Sequence, residues 1–334
     1  MFREAFSTLT IPLPRHLKPL LIMTVLSLLA LVLAVAIGSV PVELSQLWLV
    51  LTGSHDGLAR TLVLELRLPR ALAAFVTGGL LAIAGALMQV LLRNPLADPY
   101  VLGLSGGAGV GALAAMLLGL GAAAVSSFAF IGAMVTVILV FGLARGTGSW
   151  TPTRLLLTGV VVAAGWGAVI TFMLALAPAE NLPGMLYWLM GDLSHAGSAW
   201  PGFLLLLLVC LLALPLGRSL NVLARGPLPA AALGISVQPL SWGIYVGASL
   251  LTAVAVTTAG TIGFVGLVVP HMLRLLFGND QRLILPASAL GGGILLTLAD
   301  TVARTAIAPE QLPVGAITAM LGVPMFLYLL HRSR

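Results

Sequence analysis

The sequence predicts an all-α polytopic membrane protein with about ten transmembrane helices and both termini cytoplasmic. Three observations lead there. Of 334 residues, 60% are apolar and only 8% charged, whereas a soluble domain carries roughly 25% charged residues. Mean hydropathy is +1.12, and the apolar runs approach the ~20 residues that cross a bilayer. The charges also segregate between alternate breaks in those runs. Such a chain cannot cover a water-facing surface, which excludes a soluble enzyme, a nucleic-acid binder and a disordered scaffold. Its single cysteine, Cys210, forbids an internal disulfide or a multi-cysteine metal site.

The spans follow in order. Residues 1–19 form a short cytoplasmic segment ending near Arg15 and Lys18. The run 20–38 contains Ala34-Val35-Ala36, which resembles a signal-peptidase site. It is nevertheless long enough to span and is followed by more spans, so it is read as an uncleaved first helix. A polar break, 39–70, ends in Arg67-Leu68-Pro69-Arg70, where the proline suits a helix entrance and holds both arginines at the outer mouth. The second span is 71–92. The third, 102–118, carries Gly103, Gly107 and Gly111 four apart, a small-residue stripe that lets helix backbones approach closely. The fourth and fifth, 128–144 and 155–176, are separated by Arg145 and Arg154. An outer break, 177–199, precedes 200–216. The longest inner break, 217–239, is interrupted by glycine and proline. The last four spans are 240–258, 263–277, 283–299 and 314–330. No segment is long enough for a separate soluble domain, so residues 1–334 make one membrane domain.

Charge tests the count. With ten spans, the termini and the breaks on their side hold twelve Lys and Arg against three acids. The opposite side holds four Arg against seven acids. Cytoplasmic loops collect Lys and Arg, so the termini are placed inside.

Chemical motifs are sparse. The chain's one lysine, Lys18, stands between Leu17 and Pro19. A phosphate loop needs Gly-Lys-Ser/Thr, so no ATP site is expected here, and no cofactor or metal is expected on this chain. Gly103-Leu104-Ser105-Gly106 fits the G-x-S-G of intramembrane rhomboid proteases, but a serine nucleophile needs a histidine base. Of the five histidines only His271 is near a span, so packing is the favoured role of Ser105. Every acid falls in a break or at a span end, and Asp300, nearest the membrane, stands four residues before Arg304 as an i,i+4 pair. An intramembrane serine protease and an ion-coupled secondary transporter remain as alternative readings. Tyr187, Trp188, Met190 and His195 lie near the outer mouth, as substrate contacts or as interface aromatics and loop residues.

Longer stretches point further. RLPRALAAFVTGGLLAIAGALMQVLLRNPLADPYVLGLSGGAGVG (67–111), LYWLMGD (186–192), RSLNVLARGPLPAAALGI (218–235), AGTIGFVGLVVPHMLRLL (259–276), LADTVAR (298–304) and LPVGAITAMLGVPMFLYLL (312–330) resemble the FecCD-type membrane permease subunits of type II ABC importers, which take up ferric siderophores, haem or cobalamin. The resemblance covers nearly the whole chain after Leu20. It implies a non-enzymatic, multi-pass subunit of the bacterial inner membrane. It also implies a homodimer with two ATPase subunits, which bind the ATP and magnesium, and one periplasmic substrate-binding protein. By the same resemblance Arg67, Arg70 and Arg304 dock the binding protein. Asn221, Val222, Leu223, Ala224, Arg225, Gly226, Ala230 and Gly234 belong to the cytoplasmic coupling loop that meets the ATPase, and Thr151, Pro152 and Thr153 form a cytoplasmic gate. The chain departs from the family pattern at Arg225-Gly226-Pro227, where an acidic residue is common, and at Pro152, where a small hydroxyl residue is common.

Overall fold

A computed structural model describes residues 17–40, 42–52, 57–145, 151–194 and 196–332. Among the described residues the regular structure is entirely helical. Six helices are long and apolar enough to cross a membrane, a seventh span is bent, and three shorter apolar helices complete the set. These ten are α1 (Leu17–Ala36), α4 (Leu68–Leu92), α5 (Leu104–Leu117), α6 (Ala122–Arg145), α7 (Pro152–Leu176), α9 (Trp200–Leu223), α11 (Val237–Ala259), α12 (Val265–Phe277), α13 (Gln281–Ala303) and α14 (Val314–Arg332). Each falls on one of the ten spans read from the sequence. The breaks hold short helices that hydropathy does not reveal: α2 (Leu44–Leu51), α3 (Leu58–Arg60), α8 (Leu182–Met190) and α10 (Pro227–Ala232).

The bundle is built around α4, in which every residue from Val76 to Leu91 is buried. It packs most extensively against α13, then α11 and α12. Small residues permit this. A Cβ on Gly78 would run into the carbonyl of Gly292 in α13, and one on Gly85 into that of Gly266 in α12. With no apolar drive between helices in lipid, such close backbone contact is what holds them together. The Gly107 and Gly111 stripe serves the same end, with α6 against them at Gly132 and Phe128. Gly103 instead adopts a positive φ of 75° ahead of α5, against Ala163 of α7. By contrast only Leu155 and Gly159 of α7 are buried, so this helix stands at the margin of the subunit.

Two spans are incomplete as helices. α5 and α12 have 14 and 13 residues, about 20 Å each at ~1.5 Å per residue, against a hydrocarbon core of ~30 Å. Non-helical chain precedes each one, and the two leads meet. The hydroxyl of Tyr100 accepts the amide N–H of Ile262 at 3.2 Å, and Pro99 lies against Gly266. Asp98 caps the 3-10 turn 99–102 by accepting the N–H of Tyr100 at 2.7 Å. Irregular backbone survives at membrane depth only where protein satisfies it, and these contacts do so. In α9, Pro215 donates no N–H to the helix ladder, and the segments Trp200–Leu212 and Pro215–Leu223 differ in direction by 74°.

Candidate functional site: an outer arginine cluster and an inner coupling face

The arginine cluster, expected on the outer side, starts from a helical irregularity. Pro69 interrupts the ordinary ladder, and the preceding turn, residues 61–67, widens into a π-helix running straight into α4. Arg67 ends that turn and is 6% exposed. Its Nη1 donates to the carbonyls of Val35 and Ala36 at 3.1 and 3.0 Å, and its Nη2 to that of Val40. Arg304 is 7% exposed and donates to the carbonyl of Ala34. A helix leaves its last four carbonyls without partners. Two guanidinium groups therefore close the C-terminus of α1, where cations are also favoured by the helix dipole.

Arg70 points elsewhere. Its Nε and Nη2 grip the buried carboxylate of Asp300 on α13, with contacts of 2.8 to 3.2 Å, and its Nη1 donates to Gln311 Oε1 at 2.7 Å. Arg304 Nε lies 3.3 Å from the other Asp300 oxygen. The i,i+4 pair read from the sequence is present, but Arg70 makes the stronger, two-pronged contact. Arg67, Arg70 and Arg304, with Glu65, Ser194 and Gln311, line a cavity of about 310 Å³. The three arginines expected to dock a partner are thus brought together, with Arg67 and Arg304 as buried capping groups turned toward α1, and Arg67 is not paired with Glu65. Only Arg70 keeps appreciable side-chain exposure, 15%.

The inner face is organised by Asn221 at the end of α9. Its Nδ2 donates to Asp280 Oδ1 at 2.8 Å, and its Oδ1 accepts the N–H of Gln281 at 2.7 Å. Asp280 in turn caps α13 by accepting the N–H of Arg282 at 3.1 Å. One asparagine thus ties the 217–239 loop to the start of α13. Beyond it, Leu223, Gly226 and Ala230 are buried, while Val222 is half-buried, and Ala224, Arg225 and Gly234 are exposed. α10 presents Leu228 and Leu233, 82% and 70% exposed, away from the bundle. Ala230, predicted as a contact for a partner, faces inward instead, because the single turn of α10 needs a small residue against α9 and α11. The gate triplet is a helix start. Thr151 accepts the N–H of Arg154 on its Oγ1 at 3.3 Å, Pro152 is the first helical residue, and Thr153 is exposed on the first turn of α7.

Ser105 is the second residue of α5 and has no hydrogen bond to a histidine among the described residues. The neighbouring Gly106 abuts Trp166 of α7, which fits a packing role. At the outer side the Tyr187 hydroxyl donates to the carbonyl of Gln311 at 3.3 Å. Trp188 is half-buried and Met190 exposed, whereas His195 lies outside the described residues. Sequence reasoning missed the bond between Arg70 and Gln311 and that between Arg274 and Gln89. Partners separated by 241 and 185 residues leave no local signal.

The model of the FecCD transport family matches residues 25–332. The chain belongs to the FecCD transport family. Among the relatives of this FecCD chain, it is 40% identical to the vitamin B12 import system permease protein BtuC of Yersinia enterocolitica, covering 96% of this chain and 93% of that one. It is 38% identical to the hemin transport system permease protein HmuU of Yersinia pestis, covering 96% and 98%. Among solved structures, an inward-facing metal-chelate type ABC transporter superposes with a TM-score of 0.81 at 28% identity, over 95% of this chain and 99% of that one. This FecCD protein is a multi-pass helical permease of the bacterial inner membrane, of the ABC-importer type.

Proposed function

We propose that this FecCD chain, acting as one membrane domain with both termini cytoplasmic, pairs with a second copy of itself, two ATPase subunits and a periplasmic binding protein. Together they carry an iron chelate (ferric siderophore or haem) or cobalamin from periplasm to cytoplasm. Permeases of this kind work with ATPase and substrate-binding partners. The observation that carries the reading is the inner coupling face. A short helix presents exposed leucines on a loop whose root is locked to α13 by Asn221. Exposed apolar side chains beside polar loops mark a protein contact, and a chain without a phosphate loop needs its ATP hydrolysed elsewhere.

At the outer face, the cavity lined by Arg70, with Arg67 and Arg304 behind it, receives an acidic group of the binding protein. Arg67, Arg70, Arg304 and Glu65 line it, and the buried Asp300 pairs with Arg70 and Arg304, so the cluster keeps an excess of one positive charge. Thr151, Pro152 and Thr153 start the most exposed span, α7, at its cytoplasmic end, where a small movement opens or shuts the path between two copies. The test is reconstitution in proteoliposomes with the cognate ATPase and binding protein, comparing haem, a ferric siderophore and cobalamin. One of the three should accumulate only with ATP. Accumulation driven by an ion gradient, with no ATPase present, would overturn the reading.

A further inference from the structure

Behind the coupling loop lies a second cavity, of about 590 Å³, between the inner ends of α4, α9, α12 and α13. Nine of its twelve lining residues are polar or charged types, and three of them are arginines: Arg93, Arg225 and Arg274. Arg274 is engaged, donating to Gln89 Oε1 and to the carbonyl of Ala86. Asp280, the one acid in the lining, is tied to Asn221 and to the start of α13. The guanidinium groups of Arg93 and Arg225 have no hydrogen-bond or ion-pair partner among the described residues, and both residues are exposed. Arg93 holds a left-handed backbone, φ 50°, at the end of α4, a conformation costly for a residue with a Cβ. Its Nη1 lies beside Gly226, next to Arg225. Gln281, also in the lining, is 2% exposed, and its Oε1 accepts from nothing among the described residues.

Taking the ATPase partnership proposed above as given, we propose that this cavity receives an acidic segment of the ATPase subunit, a carboxylate seated between Arg93 and Arg225. Two free cations call for an anion, and a guanidinium matches a carboxylate with two parallel bonds. The orphaned Gln281 oxygen calls for a donor, because a buried acceptor without one is costly. A peptide segment brings both, a side-chain carboxylate and backbone N–H groups. A lipid phosphodiester brings only acceptors. The cavity also opens among inner loops, at 93–95, 224–225 and 279–281, beside the exposed leucines of α10, so it is continuous with the proposed ATPase contact.

The experiment measures association of the cognate ATPase with the permease in nanodiscs at low and high ionic strength. The chains compared are wild type, Leu228→Asp, and the double variant Arg93→Gln with Arg225→Gln. Both arginines are exposed, so the neutral variant should fold, which a thermal melt verifies. The double variant should bind about tenfold more weakly at low salt, a gap that closes at high salt as screening removes the wild-type advantage. One acidic-to-lysine change on the membrane-facing surface of the ATPase should restore binding to an Arg225→Glu variant. Equal affinities and equal salt slopes for wild type and double variant would overturn the pocket alone. A wild-type chain that binds no ATPase would overturn the partnership itself. Repeating the comparison in purely zwitterionic lipid separates the remaining source: a defect seen only with anionic lipid would assign the pocket to a phosphate headgroup and overturn the proposal.

Discussion

Asp300 sits 2% exposed between two guanidinium groups, and its chemistry sets what each change there will do. Removing the carboxylate leaves Arg70 and Arg304 facing each other in a buried site. Removing Arg70 still leaves Asp300 with Arg304. Breaking a buried pair costs about 3–5 kcal/mol because a charge is stranded. Asp300→Ala should therefore lower the thermal unfolding temperature in detergent more than Arg70→Ala does. A smaller loss for the aspartate would show that Arg304 is neutralised from elsewhere. Arg67 caps α1 rather than reaching solvent. Arg67→Ala should loosen the end of α1, read as faster hydrogen exchange at residues 34–40, rather than simply slow partner association. The Arg67-x-x-Arg70 spacing was visible in the sequence, and so was the Asp300–Arg304 turn. What the sequence could not give was direction. A residue's neighbours along the chain do not say whether a guanidinium turns to solvent or to carbonyls 27 to 32 residues away.

Among the elements, the ten spans were legible because apolar runs and loop charge depend only on composition, which lipid reads directly. The short helices were not. α8 and α10 have nine and six residues, too few to rise above the Pro and Gly signals around them. The shortness of α5 and α12 was legible, since the apolar runs there cover only 102–118 and 263–277; the meeting of their leads through Tyr100 with Ile262 and Pro99 with Gly266 was not. Glycines separate the tight contacts from the loose ones. Gly85→Ala would place a methyl group on the backbone carbonyl of Gly266, which cannot rotate away, so the α4–α12 contact must open. Gly247→Ala in α11 meets nothing within 4 Å and exchanges glycine for the better helix former, worth up to ~1 kcal/mol. Size-exclusion yield of the folded protein should collapse for the first variant and hold or rise for the second. Equal yields would mean that α4 and α12 do not meet at these residues. α10 offers a parallel contrast: Leu228→Asp should fold and lose ATPase binding, whereas Ala230→Asp buries a carboxylate and should fail to fold. A cysteine meant to cross-link the ATPase therefore belongs at Leu228, not at Ala230.

Across the whole molecule, α13 joins the two faces. Its first turn is pinned to the coupling loop through Asn221 and Asp280, and its last turn carries Asp300 in the grip of Arg70. Between them, 23 residues of helix, about 34 Å at ~1.5 Å each, lie against α4 through Gly78 and Gly292. On the proposed reading, a helix fixed at both ends would carry a displacement from the ATPase contact to the cavity at Arg70 without passing through the lipid-facing helices. Contiguity alone does not establish coupling; a broken joint that changes the output does. Asn221→Ala removes both bonds to the start of α13 while leaving the exposed leucines of α10 untouched. ATPase binding and hydrolysis should persist, and substrate moved per ATP should fall several-fold, measured in proteoliposomes with the binding protein enclosed. Combining it with Arg70→Ala tests the strut: two breaks in one lever should cost little more than one, whereas independent effects would multiply. Unchanged transport per ATP in the Asn221→Ala variant would remove α13 from the coupling path.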